Sequence, residues 1–219
     1  MNVRRLTRHA GIALFTAAVV SLLPACAARQ TAEPPSVVFE NAHSGGSTVA
    51  FSHSGDVLAS GGWEGGLRLW HTARQRQVAG WKAHDSSVNG IGFTADDRYI
   101  ITAGYDGVLA EWDRGGRLSR QRSTPSPVMH MVVHAASGRI ITGHADGSVR
   151  IWRLSYFSLL RARVMHGGVV MAVAIDPLRQ RYASSCADGA VFVFEESGPD
   201  RQMESPPLDA LSLAFSPDG

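Results

Sequence analysis

His84, Thr102 and Asp106 carry the side chains of a base, a nucleophile and the group that orients the base, the set that performs acyl transfer when gathered around one substrate. With Trp112 they are spaced 18, 4 and 6 residues apart. The set recurs as His43, Ser60, Glu64 and Trp70, then as Thr142, Asp146 and Trp152 with Thr124 where a histidine is due, and as His166, Ser184, Asp188 and Phe194. A catalytic centre is single, whereas a brace inside a repeated unit is rebuilt in every copy. The repetition therefore reads as structure. An indole N–H can donate to the hydroxyl, the hydroxyl to one imidazole nitrogen, and the other nitrogen to the carboxylate. Such a chain satisfies groups that cost about 1–3 kcal/mol each when buried alone. No catalytic residue is expected.

Other chemistry finds less footing. His130 and His134 are four apart, and His144 with Asp146 could join them, but no further ligand falls at a metal-site spacing, so no metal is expected. There is no phosphate loop, haem-attachment motif or nucleophile elbow, and no cofactor is expected. Asp56, Asp96, Asp97 and Asp176 fall in turns, where short polar side chains are ordinary. The two cysteines are Cys26 and Cys186; the second reads as a small buried residue.

The elements that position these residues follow from the repeat. The closing aromatics Trp70, Trp112, Trp152 and Phe194 are separated by 42, 40 and 42 residues. A second marker, the end of the preceding apolar strand, falls at Phe51, Phe93, Val133, Ile175 and Phe215, with steps of 42, 40, 42 and 40. In the second copy Val88–Phe93 reads as a short strand kept slim by its glycines. Tyr99–Ala103 reads as an apolar strand covered on both faces, and Tyr105-Asp106-Gly107 as a tight turn. Val108–Trp112 reads as a third strand, and Leu118–Arg122 as a polar outer strand whose Arg117, Arg120 and Arg122 face solvent. Four short antiparallel strands per forty-odd residues make the blade of a β-propeller. The fold expected is all-β, with four complete blades (about 43–82, 84–122, 124–163 and 166–204) and the first strand of a fifth at 208–219.

The His, Ser/Thr, Asp and Trp set and the closing Trp112-Asp113 resemble those of WD-repeat propellers, and the resemblance runs from Ser36 to the last residue. It implies a rigid face around a central channel on which protein or peptide partners dock. On that face the residues before the turn acid include Trp63 and Tyr105, natural aromatic anchors, with Asn89 and His144 as polar neighbours. The alternative is that both aromatics pack between blades.

At 219 residues, with 44% hydrophobic and 18% charged residues, the composition is that of an ordinary globular chain. Ahead of the repeats, Arg4, Arg5 and Arg8 precede an apolar run of 14 residues, Ala10–Leu23. That run is too short to cross a bilayer of about 30 Å and suits a signal peptide over 1–25. The twin arginines lack the flanks of the twin-arginine motif, which favours the general secretory route. Leu23-Pro24-Ala25-Cys26 resembles the bacterial lipoprotein box, Pro24 departing from it. The resemblance implies lipidation of Cys26, and Ala28 implies outer-membrane sorting, facing the periplasm. The alternative is an ordinary signal peptide cut nearby. Residues 26–35, small, polar and Pro-rich after Cys26, read as a flexible tether. Three of the 21 Lys and Arg belong to the leader, leaving 18 bases against 19 acids, so nucleic acid loses its electrostatic basis.

SVVFE, Ser36–Glu40, reads as an outer strand lacking a blade of its own, and LDALSLAFSPDG from Leu208 as the opening of a fifth. The expectation is an incomplete ring, a piece of a longer propeller; the alternative is partial rings assembled between chains, hiding their strand edges. Two functions follow: a noncatalytic interaction scaffold tethered to the cell envelope, or the sensor or targeting part of a longer envelope enzyme or redox protein. No small-molecule substrate is expected.

Overall fold

The computed structural model describes residues 39, 42–203 and 210–218. The leader, Cys26 and the tether lie outside these residues, as does SVVFE apart from Phe39. Among the described residues sixteen strands form four separate four-stranded antiparallel sheets, each meandering in chain order. Blade one holds β1 (Gly46–Phe51), β2 (Val57–Gly62), β3 (Gly66–His71) and β4 (Arg76–Lys82). Blade two holds β5 (Val88–Phe93), β6 (Tyr99–Gly104), β7 (Val108–Asp113) and β8 (Leu118–Ser123). Blade three holds β9 (Val128–His134), β10 (Arg139–His144), β11 (Ser148–Arg153) and β12 (Ser158–Val164). Blade four holds β13 (Val170–Ile175), β14 (Arg181–Cys186), β15 (Val191–Glu195) and the three-residue β16 (Arg201–Met203). No helix occurs among the described residues.

The blades share one register. Trp70 pairs with Leu58, Trp112 with Ile100, Trp152 with Ile140 and Phe194 with Tyr182, so the closing aromatics occupy matching sites. Ser60, Thr102, Thr142 and Ser184 pair with Val49, Ile91, Met131 and Val173 of the inner strands. The inner strands stand side by side in succession, β1 next to β5, β5 next to β9 and β9 next to β13.

The apolar strands are covered on both faces because each blade shares a core with each neighbour. Val57, Ala59, Leu67 and Leu69 of blade one pack with Val88, Ile91, Phe93 and Ile100 of blade two. Ile101, Ala103 and Leu109 meet Val128, Met131, Ile140 and Trp152 across the next junction, and Ile141, Val149 and Ile151 meet Val170, Val173, Tyr182 and Phe194 across the third. At about 25 cal/mol per Å² of apolar surface removed from water, these junctions supply the main cohesion between sheets that share no ladder. Gly90 and Gly92 bring β5 close to blade three: a Cβ there would sit 2.4 Å from the Met131 Cβ and 2.6 Å from the Val133 Cβ.

The outer strands are polar, as expected, but not all their arginines are merely solvated. Arg120 pairs with the buried Glu111 and lies 5.0 Å over the Phe157 ring of blade three, whereas Arg117 and Arg122 are exposed. Residues 210–215 carry no ladder pairing among the described residues. They lie against blade four, where Ser185 Oγ donates to the Ala210 carbonyl at 2.6 Å and the Arg181 guanidinium stands 5.6 Å over Phe215.

Candidate functional site

The hairpins between the second and third strands form one face, and a common local device builds them. Gly65, Gly107, Gly147 and Gly189 close the turns with φ of 82°, 76°, 77° and 84°, a conformation that side chains resist. Asp106, Asp146 and Asp188 accept the backbone N–H two residues on, from Val108, Ser148 and Ala190. The glycine carbonyl then takes an N–H from the loop of the next blade: Gly65 from His84 at 3.1 Å, Gly107 from Thr124 at 2.7 Å, Gly147 from His166 at 3.2 Å. Each such loop hangs on the backbone of the preceding blade and on side chains of its own.

In blade two the side-chain relay is complete. Trp112 Nε1 donates to Thr102 Oγ1 at 2.9 Å, Thr102 Oγ1 meets His84 Nε2 at 2.8 Å, and His84 Nδ1 donates to the Asp106 carboxylate at 3.0 Å. Because the Asp106 carboxylate can only accept, the ring proton resides on Nδ1, and Nε2 takes the hydroxyl proton of Thr102, whose oxygen also receives the indole N–H. Burial alone would raise the Asp106 pKa. The His84 ring and the N–H groups of Val108 and Asp85 outweigh it, holding the carboxyl below the usual carboxylate range. Blade one repeats the relay with Glu64: Trp70 to Ser60 at 2.9 Å, Ser60 to His43 at 2.9 Å, His43 to Glu64 at 2.6 Å.

Blade three solves the missing loop histidine in another way. His144, on β10 itself, meets Thr142 Oγ1 at 2.8 Å, and its Nδ1 donates to the Ser126 carbonyl at 3.1 Å, while Trp152 donates to Thr142 at 2.9 Å. His144 was expected on the exposed face; it is fully buried, so that placement is corrected. The reason is the strand's period of two: Thr142 and His144 share one side of β10, and that side is the relay. Asp146, lacking a histidine, turns to Ser148 and Arg150. In blade four His166 Nε2 meets Ser184 Oγ at 2.8 Å, but Phe194 has no N–H to give, and His166 Nδ1 has no hydrogen-bond partner among the described residues.

Of the residues expected to meet a partner, Trp63 and Tyr105 are 67% and 48% exposed on neighbouring hairpins. Neither is enclosed between blades; one face of the Trp63 ring covers the backbone of Gly45. Asn89 is half-buried, its amide donating to the Val128 carbonyl at 2.8 Å and accepting from Ser87 at 2.6 Å, which ties blade two to blade three.

On the opposite side, Asp97 is more than a turn former. Its carboxylate accepts the His53 and Ser54 N–H groups at 2.8 and 2.9 Å and the His53 ring at 2.9 Å, fastening blade one to blade two. Burial works against its charge, yet these donors hold the acid far below the usual carboxylate range. Asp176 does similar work within blade four; despite burial, the N–H groups of Arg179 and Leu178 and the Arg181 side chain bring it to about 2. The role of Asp97 was not legible in the sequence, since an aspartate in a turn looks the same whether or not a neighbouring blade supplies its donors, whereas the donors of Asp176 come from its own turn and strand.

Matching closing aromatics, shared cores and a repeated polar relay define a β-propeller built of WD-type blades. The family model of the WD domain, G-beta repeat, matches residues 35–71, 75–113 and 117–153, more than half of the chain, and the chain belongs to that family. It is similar to the periodic tryptophan protein 2 homolog of Mus musculus, 29% identical over 78% of this chain and 24% of the relative. It is similar also to telomerase protein component 1 of Mus musculus, 28% identical over 71% of this chain and 6% of the relative. A further relative is protein HIR1 of Eremothecium gossypii, 24% identical over 78% of this chain and 27% of the relative. The chain thus spans only a minor part of the relatives it matches.

Proposed function

We propose that this chain is a noncatalytic protein-interaction scaffold, tethered at the cell envelope through a lipid on Cys26. The observation that carries the scaffold reading is the pair of exposed aromatics, Trp63 and Tyr105, at the tips of adjacent hairpins braced from beneath by the relays. Large amphipathic rings on a rigid base give contact area with little entropy to lose, the property of interface anchors. The catalytic alternative for His84, Thr102 and Asp106 lacks access: Thr102 is fully buried, and its hydroxyl is occupied by indole and imidazole. Membership in the WD family, with a relative that is by name a component of telomerase, supports protein partners in general.

The tether rests on sequence: three arginines, a 14-residue apolar run and Leu23-Pro24-Ala25-Cys26. Multiple acyl chains, at about 0.8 kcal/mol per buried methylene, would hold the domain at a membrane stably. By the lipoprotein resemblance, the proposed site is the outer membrane with the blades in the periplasm.

Two measurements test these parts separately. Crosslinking capture from envelopes of cells making the tagged chain should retain a partner that Trp63→Ala with Tyr105→Ala reduces at least about tenfold. Equal capture by the double variant would remove the proposed face. Metabolic labelling with a palmitate analogue should mark the wild-type chain and not Cys26→Ser; labelling of both, or of neither, overturns the lipid anchor.

A further inference from the structure

Blade four departs from the relay at three points, and all three converge on one spot. The first lies two residues after the relay Ser or Thr, a position occupied by Gly62, Gly104, His144 and Cys186. In blades one and two only glycine fits, because a Cβ on Gly104 would lie 2.5 Å from His84 Nδ1 and 2.7 Å from the Asp106 carboxylate. At Gly62 it would lie 2.4 Å from His43 Nδ1 and 2.2 Å from Glu64. In blade four that space holds a thiol, and no direct hydrogen bond joins His166 Nδ1 to Asp188.

The second departure is Phe194. With no carboxylate bonded to Nδ1 and no indole proton arriving at Ser184, the serine hydroxyl can accept from His166 Nε2–H at 2.8 Å. In that tautomer, opposite to that of His84, the Nδ1 lone pair faces the Cys186 thiol and the Asp188 carboxylate. The third is that this Nδ1 is buried without a partner on a histidine only 5% exposed, an arrangement that is costly for a neutral acceptor unless something binds there.

One donor atom each from His166, Cys186 and Asp188 lie within 4.8 Å of one another. From these observations we infer that blade four carries a metal site for a zinc-class divalent cation, with His166 Nδ1, Cys186 Sγ and the Asp188 carboxylate as ligands. Thiolate, imidazole and carboxylate together suit zinc, whose bonds of about 2.0–2.3 Å place tetrahedral ligands about 3.3–3.6 Å apart. Asp188 is exposed, so its carboxylate is free to adjust as the three ligands close from within 4.8 Å of one another. Ser184, holding the other ring nitrogen, fixes the orientation of the imidazole as outer-shell partners of ligating histidines do. Three protein ligands leave a fourth position that water can take. The ion replaces the missing relay: it fastens the loop of His166 to the β14–β15 hairpin. This inference is independent of the scaffold reading.

Cobalt(II) as a spectroscopic stand-in for zinc tests it, with the full chain carrying Cys26→Ser so that Cys186 is the one thiol. One equivalent of cobalt should give a thiolate-to-cobalt charge-transfer band, displaced by one equivalent of zinc, and zinc should raise the thermal midpoint. Cys186→Gly installs the residue of blades one and two, leaves room for a direct His166–Asp188 bond, and should fold while losing the band. Asp188→Asn, at an exposed side chain, should fold and bind at least about tenfold more weakly. If Cys186→Gly does not fold, Asp188→Asn decides. A natively folded chain that shows no band, a band that survives Cys186→Gly, or unchanged affinity in Asp188→Asn overturns the site.

Discussion

Thr142 and His144 stand two residues apart on one strand, and the threonine hydroxyl meets the His144 Nε2 at 2.8 Å. The histidine thereby fills, from within the blade, the place that a loop histidine takes in blades one and two. Burial, reinforced by the Arg150 charge, pushes its pKa down to about 4. The folded state therefore favours the neutral ring, while the unfolded chain protonates near pH 6.5. A group whose pKa is depressed on folding, and whose charged form is the protonated one, costs stability as pH falls from about 6.5 toward 4. His144→Gln keeps an amide beside Thr142 and cannot titrate. It is expected to be less stable than wild type at pH 7.5, with the gap closing by on the order of 3 kcal/mol by pH 4 in urea unfolding. A constant gap across that range would show that the ring is not held neutral.

The complete relay of blade two should behave as a unit. Trp112→Phe imitates Phe194 and removes the 2.9 Å donor to Thr102, with an expected loss of about 1 kcal/mol. Thr102→Val leaves both the indole and His84 Nε2 without a partner in the blade and is expected to cost about 2–4 kcal/mol. The double variant should cost less than the sum by at least about 0.5 kcal/mol, because both changes break the same connection. Additive losses in chemical denaturation would mean that the two bonds are independent.

Gly104→Ala should be far more damaging than an ordinary glycine replacement. The new Cβ would fall 2.5 Å from His84 Nδ1, so the imidazole–carboxylate contact must open. A loss of about 1–3 kcal/mol is expected. Gly46→Ala, where a Cβ meets nothing within 4 Å, should shift the thermal midpoint little. Equal shifts in the two variants would contradict the packing.

Asp97 should govern acid stability at the first blade junction. Its folded pKa lies well below that of the unfolded chain, so its contribution is complete above about pH 4 and is lost as pH falls below that value. Asp97→Asn is expected to destabilise the protein by about 2 kcal/mol at pH 7, through weaker acceptance from the His53 and Ser54 N–H groups. The difference from wild type should shrink as pH is lowered from 4 to 2. Thermal scans across that range measure it.

Sequence alone determined the four-stranded unit, its period and the relay of blade two, because these depend on spacing within one hairpin and the loop before it. Tyr105-Asp106-Gly107 announces a turn, and a turn fixes which residues of β6 and β7 face each other. Tertiary structure decided whatever depends on a neighbour. Thr124 left blade three without a loop histidine, and only the side of β10 that faces the relay revealed His144 as the replacement. Arg120 read as a solvated edge until Glu111 and the ring of Phe157 from the next blade closed on it. Asp97 is an ordinary turn residue until a second blade brings its backbone donors. Cys186 read as filler, and its company of His166 and Asp188 emerges once a strand, a turn and a distant loop are folded onto one another. Local spacing is written in covalent order, whereas contacts between blades arise from packing sheets that share no hydrogen-bonded ladder, and packing is resolved only in three dimensions.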